Sequence, residues 1–124
     1  MLASDSKARK PTPLPGRPVR GSRTGRPAMA LLDLLGRRWA LRVLWELRDG
    51  GAPTFRDLQA QCGDISSSVL NDRLRELREA GIVTTQPGGG YQLTAEGHSL
   101  LDTLGPLDAW ARRWARRTAR PSQD

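Results

Sequence analysis

Between Ser66 and Arg78 the chain places three serines, an asparagine, an aspartate and three arginines. Hydroxyl and carboxamide groups both donate and accept hydrogen bonds, and a guanidinium fork matches the acceptor edge of guanine or a phosphate. The chemistry on offer is recognition. Bond-making is not expected, because the chain has no paired-carboxylate site, glycine-rich phosphate loop or nucleophile elbow. One cysteine, Cys62, and one histidine, His98, are too few for a protein-only transition-metal site. No cofactor, no metal and no enzymatic activity are expected, and His98 has no partner that the sequence identifies. A lone cysteine excludes an internal disulfide and fits a reducing cytoplasm. Cys62 itself reads as a small buried filler.

These groups need a helix that presents them. Leu74 and Leu77 fall within about 40° of Leu70 at 100° per residue, a buried stripe. Ser68, Asp72, Arg75 and Glu79 then lie on the opposite face, flanked by Asn71 and Arg78. Ser66 is an N-cap whose hydroxyl accepts an orphan backbone N–H, and Gly81 closes the helix over Ser67–Ala80. Upstream, Pro53-Thr54-Phe55 is extended, Arg56–Cys62 is a brief helix with Leu58 inward, and Gly63-Asp64 is a turn. Supporting helix, turn and second helix have the lengths of a helix-turn-helix. Downstream, Ile82-Val83-Thr84-Thr85 and Tyr91-Gln92-Leu93 flank Pro87-Gly88-Gly89-Gly90, a hairpin pattern.

Two helices, Ala28–Leu35 and Arg38–Arg48, are expected before this unit, divided at Gly36 and stopped by Gly50-Gly51. A last helix begins after Thr94, and Gly105-Pro106 is expected to kink or break it. The fold class is mainly α with a small β-hairpin wing, a winged helix-turn-helix. Leu31, Leu34 and Leu35 of the first helix, with Leu100, Leu104, Leu107, Trp110 and Trp114 of the last, are the candidate homodimer seam. A domain of this size cannot cover that much apolar surface alone. The arginines around Trp110 and Trp114 also fit a membrane-surface helix, but the leucines continuing along the same face favour the seam.

Charge is unevenly placed. Residues 1–27 hold Lys7, Arg9, Lys10, Arg17, Arg20, Arg23 and Arg26 against Asp5 alone, so +6 of the formal charge of +7 lies there. Five prolines and few large apolar residues predict an unfolded basic arm over 1–27. The domain proper is expected over 28–118, with a flexible tail at 119–124. Hydrophobic residues are only 37% of the chain, which the arm accounts for. The arm has no apolar stretch of a secretory signal, and no run long enough to span a bilayer occurs.

The ordered set of motifs resembles the HxlR-type winged helix-turn-helix regulators. Leu35-Gly36-Arg37-Arg38-Trp39 with Val43-Leu44 and Leu47 is similar to the family's opening. Phe55-Arg56-Asp57-Leu58, Ile65-Ser66, Leu70, Arg73-Leu74-Arg75-Glu76-Leu77, Gly81-Ile82, Tyr91-Gln92-Leu93-Thr94 with Gly97, and Trp110 follow in order. The resemblance implies a dimeric bacterial or archaeal transcription factor paired through its first and last helices. It implies base-facing roles for Ser67, Ser68, Asn71, Asp72 and Arg75. Two departures stand out. The cysteine that family members usually carry before the first helix is replaced by the stretch Arg26-Pro27-Ala28-Met29, so sensing through that residue is not implied. The wing is short and uncharged, with Thr84-Thr85-Gln86 and a bare glycine turn.

The expected partner is double-stranded DNA, bound by a cytoplasmic homodimer with no membrane contact. The expected DNA-facing set is Ser66, Ser67, Ser68, Asn71, Asp72, Arg75 and Arg78, with Arg56, Thr85 and Gly89 of the supporting helix and wing, and Arg23 and Arg26 of the arm. Nothing identifies a small-molecule effector. A winged helix used for protein contact, and a nonspecific DNA coat driven by the arm, are the competing readings. From sequence, Arg75→Ala should relax base preference, whereas Arg23→Ala should weaken all DNA sequences alike in binding titrations.

Overall fold

The leucine spacing is realised as a helical core built on one hairpin. A computed structural model describes residues 10–119. Helix α1 spans Pro27–Leu35 and begins with proline, whose missing N–H costs nothing in a first turn. Helix α2 spans Ala40–Glu46. It starts two residues later than the apolar pattern suggests because Trp39 adopts φ 77°, a left-handed conformation. Such a residue costs on the order of 1–3 kcal/mol. The indole packs against the buried core, which offsets that strain.

Helix α3, Phe55–Cys62, opens on a capping box. The Asp57 N–H donates to Thr54 Oγ1 at 3.1 Å and the Thr54 N–H to Asp57 Oδ2 at 3.3 Å. Helix α4, Ser67–Glu79, is capped by Ser66, whose hydroxyl accepts from Val69 N–H at 3.2 Å. Strands β1, Val83–Thr85, and β2, Tyr91–Leu93, pair antiparallel with Thr84 opposite Gln92. The Tyr91 N–H donates to the Pro53 carbonyl at 2.9 Å, so the extended Pro53 lies along the hairpin. Gly90 makes this approach feasible, since a Cβ there would lie 2.4 Å from the Ala52 carbonyl oxygen.

Helix α5 runs unbroken over Ala95–Thr118, so the expected break at Gly105-Pro106 does not occur. Pro106 removes the amide that would reach the Asp102 carbonyl, but both residues are exposed and solvent can satisfy that oxygen. Val43, Leu44 and Leu47 of the α2 segment meet Leu58 of α3 and Leu70 and Leu77 of α4 in the fully buried centre. Ile82, Val83 and Leu93 extend it to the hairpin.

The basic arm differs most from expectation. Residues 10–26 are a strap folded onto the domain, while 1–9 and 120–124 lie outside the described residues. Thr12 and Pro13 are buried. The strap doubles back on itself, with Gly16 N–H donating to Gly25 O at 2.9 Å and Val19 bridging Ser22. It ends at Arg26, the residue before α1, whose N–H donates to Ser22 Oγ at 3.0 Å. Composition predicted disorder because prolines and cations bury little surface among themselves; here they are held by groups of the folded domain.

Thr94 ties the hairpin to α5, donating from Oγ1 to the Gly81 carbonyl at 2.6 Å and accepting from Gly97 N–H at 3.0 Å. At Gly97 an added Cβ would stand 2.3 Å from the Ile82 carbonyl oxygen. Gly97→Ala should therefore cost about 1–3 kcal/mol, as overpacking of a tight contact does, read as a lower urea midpoint with an unchanged slope.

Candidate nucleic-acid interface

The turn between α3 and α4 sets the angle of the second helix. Gly63, at φ 92°, ends α3 in a backbone conformation that glycine adopts at least cost. Gln59 then spans the turn, donating from Nε2 to the Ile65 carbonyl at 3.2 Å and to Ser67 Oγ at 3.1 Å. With Leu70, Leu74 and Leu77 buried, the start of α4 has one orientation available.

The expected DNA-facing residues divide into three groups on this frame. Ser66 and Ser67 are exposed, but their hydroxyls already accept hydrogen bonds that build the helix start. Ser68 and Asn71 are exposed one turn apart on the outer side of the helix. Arg56 at the start of α3 and Arg78 near the end of α4 are exposed as well, as are Thr85 and Gly89 of the wing. The hairpin turn is closed by Gln86 N–H donating to Gly90 O at 3.0 Å and by a Gln86–Gln92 side-chain hydrogen bond. The wing therefore offers hydroxyls and amides without charge. Arg23 and Arg26 of the strap are exposed.

Arg75 stands apart, because it is not a free reading group. Its guanidinium lies 3.6 Å from Asp72, 3.7 Å from Glu79 and 3.9 Å from Glu76. It also donates to Thr12 Oγ1 of the strap at 3.4 Å, and Thr12 in turn donates to Glu79. The outer face of α4 is thus open in its first half and strapped in its second.

The anchor of that region is Glu76, which is buried. Its carboxylate meets Arg37 at 2.6 Å and Arg73 at 3.3 Å. Arg37 reaches on to the Pro11 carbonyl at 2.9 Å, and Arg17 holds the Thr12 carbonyl at 2.8 Å. Sequence reasoning missed Thr12, Arg37 and Glu76 as a unit. The available signal was Glu76 itself, about 120° from Leu70 on the helical wheel and so at the edge of the buried stripe.

Two candidate seam residues are also reassigned. Leu34 and Leu35 are buried inside the chain's own core and cannot face a second copy, and Leu31 packs on the same core. Exposed large apolar side chains fall instead at Leu32, Leu41 and Trp45, and at Leu107, Trp110 and Trp114 of α5. Trp110 and Trp114 stack with ring centroids 6.0 Å apart. Leu100 and Leu104 are half-buried.

Cys62 is buried, as its filler reading anticipates. Burial pushes its thiol above the usual cysteine value; Arg42 pulls it down and Glu46 raises it further. The thiol therefore stays protonated at neutral pH, and thiolate is the reactive form. Native protein at pH 7 should react with iodoacetamide far more slowly than urea-unfolded protein, followed by mass spectrometry. Glu76→Ala should cost about 3–5 kcal/mol in chemical unfolding, the usual penalty for stripping one partner from a buried ion pair.

Known proteins are similar to this chain in sequence and fold. Residues 34–119 match the HxlR-like helix-turn-helix family. The uncharacterized HTH-type transcriptional regulator YvaP of Bacillus subtilis (strain 168) is 32% identical over 67% of this chain and 82% of its own. Quinone-bound YodB from B. subtilis superimposes with a TM-score of 0.63 at 32% identity, covering 68% of this chain and 93% of YodB. A possible HxlR family transcriptional factor from Thermoplasma volcanium GSS1 gives a TM-score of 0.62 at 28% identity, over 73% of this chain and 85% of that one. Sequence motifs, helix-turn-helix geometry and hairpin wing agree with one another, and the chain belongs to the HxlR-like helix-turn-helix family of DNA-binding transcription regulators.

Proposed function

We propose that two copies of this chain bind a pseudo-palindromic operator, each placing the first half of α4 in a major groove. The observation that carries this reading is the exposure of Ser68 and Asn71 on a helix start fixed by Gln59 and the leucine stripe. Asn is suited to a bidentate bond with adenine, and Ser to either base of a pair. Ser66, Ser67 and Asp72 border this face. Arg75 is a margin contact in this scheme, available only where DNA competes with Thr12 and Glu79 for it. Arg56 and Arg78 grip flanking phosphates, and Thr85 and Gly89 add uncharged wing contacts. Arg23 and Arg26 supply the salt-dependent part of affinity. The protein acts in the cytoplasm as a reader of DNA and catalyses nothing.

Dimerisation rests on α5. At 1.5 Å per residue a 24-residue helix is about 36 Å long. Its second half is mostly exposed, with Leu107 at 58%, Trp110 at 48% and Trp114 at 50%. Apolar surface of this kind on a small domain is characteristic of a subunit contact, and Leu100 and Leu104 continue it toward the body. A two-fold contact there sets two recognition helices one DNA turn apart, about 34–36 Å.

Asn71→Ala should cost about 1–3 kcal/mol on the operator, selected from random DNA, and little on unrelated duplex. Equal loss on both would reject base reading by α4. The pair Leu107→Ser and Trp110→Ser should shift the protein toward monomer in sedimentation velocity; an unaltered dimer would place the seam elsewhere. Replacing the exposed strap cations Arg20, Arg23 and Arg26 with glutamine, which keeps the Pro11 and Thr12 contacts, separates the alternatives. A sequence-specific regulator keeps its site preference with a shallower salt dependence, a nonspecific coat loses nearly all binding, and a protein-contact module never shows a preferred site.

A further inference from the structure

Beside the strapped half of α4 lies an open recess of about 540 Å³, bordered by the strap, by the turn between α1 and α2, and by α4 itself. The volume falls in the range of small-molecule sites. We propose that this recess binds a small oxyanion carrying several negative charges.

Each of the three walls contributes two cations: Lys10 and Arg20, Arg37 and Arg38, Arg73 and Arg75. Three carboxylates oppose these six charges, and each is already engaged. Glu76 is shared among three guanidiniums, at 2.6 Å from Arg37, 3.3 Å from Arg73 and 3.9 Å from Arg75. Asp33 accepts from the Arg20 backbone N–H at 3.1 Å, and Asp72 lies 3.6 Å from Arg75. The recess keeps a net positive charge, and a cleft with an excess of one sign of charge raises the local concentration of counter-ions.

Hydrogen bonding points the same way. Arg73 Nε and Arg75 Nε are buried donors without a hydrogen-bond partner, so the 3.3 Å approach of Arg73 Nε to Glu76 is a charge contact only. Unpaired buried donors are costly, and a small shift of either side chain would turn its Nε–H toward an oxyanion in the recess. The position of the recess favours a small ligand over a duplex. Arg73 is recessed, with its side chain 14% exposed, whereas a DNA backbone meets the outer surface.

A bound anion would compete for Arg75, the group that joins α4 to Thr12 of the strap, and thereby couple a solute to the DNA-reading helix. That coupling rests on the operator reading above; binding of the anion does not.

The test uses full-length protein and inorganic pyrophosphate, at ionic strength held constant with sodium chloride. Isothermal titration should give a saturable isotherm with one site per chain, and the midpoint of thermal unfolding should rise with ligand as mass action requires. The double variant Arg20→Gln and Arg38→Gln should bind at least tenfold more weakly. Both side chains are exposed and make no ion pair among the described residues, so the variant's midpoint without ligand serves as the folding control. A response that is linear, reproduced by chloride, or unchanged in the variant overturns the proposal. So does the outcome in which pyrophosphate fails to saturate while the variant's DNA binding loses salt dependence, because these cations would then serve duplex phosphate. Absence of any preferred DNA site would instead defeat the operator reading and leave a saturable pyrophosphate isotherm intact.

Discussion

A helix whose outer face is to stay bare must be held firmly from behind, and α4 meets this demand with three leucines. Leu70, Leu74 and Leu77 are almost fully buried against Val43, Leu44, Leu47 and Leu58. Burying a leucine side chain contributes about 1.5–3 kcal/mol, so rotating α4 to expose this stripe would cost more than any polar contact on its outer face returns. The rotation of the helix is therefore decided by its apolar side. Gln59 and Gly63 then decide its tilt at the turn. Ser68 and Asn71 are exposed as a consequence of both.

Electrostatics organises the other end of the same helix. Glu76 sits inside a ring of three guanidiniums. A buried carboxylate is tolerable only when paired and hydrogen-bonded. Arg37, which satisfies it, also holds the Pro11 carbonyl, and Arg75 holds Thr12. One buried acid therefore organises the α1–α2 turn, the second half of α4 and the strap. This explains how a proline-rich, cationic segment becomes part of the fold without a hydrophobic core of its own. Its cations Lys10, Arg17, Arg20, Arg23 and Arg26 stay exposed and add positive potential to the strapped side of the domain.

The apolar residues of this chain serve two separate purposes. One set closes the core of a single copy. The other, on the far half of α5 with Leu32, Leu41 and Trp45, remains uncovered. Trp45 carries Arg48 over its ring at 3.9 Å, a contact that shields the indole face without burying it. The Trp110–Trp114 stack keeps its outer surface available.

Features that depend on near neighbours were legible in the residues themselves. Ser66 as a cap, the start of the last helix after Thr94, the 3.6-residue leucine spacing of α4, and the glycine turn between two β-branched or aromatic runs all appear where those patterns place them. Each is a short-range effect, set by backbone groups within a turn or two. The resemblance in motif order then supplied the family. Contacts across the chain were not legible. Thr12 meets Glu79 across 67 positions, and Arg37 meets Glu76 across 39. Whether Leu34 and Leu35 or Leu32 face the core depends on which side of α1 the rest of the chain covers. A periodic apolar pattern reports that a face will be buried; only tertiary packing selects the surface that buries it, and only a buried charge such as Glu76 decides which arginines remain free.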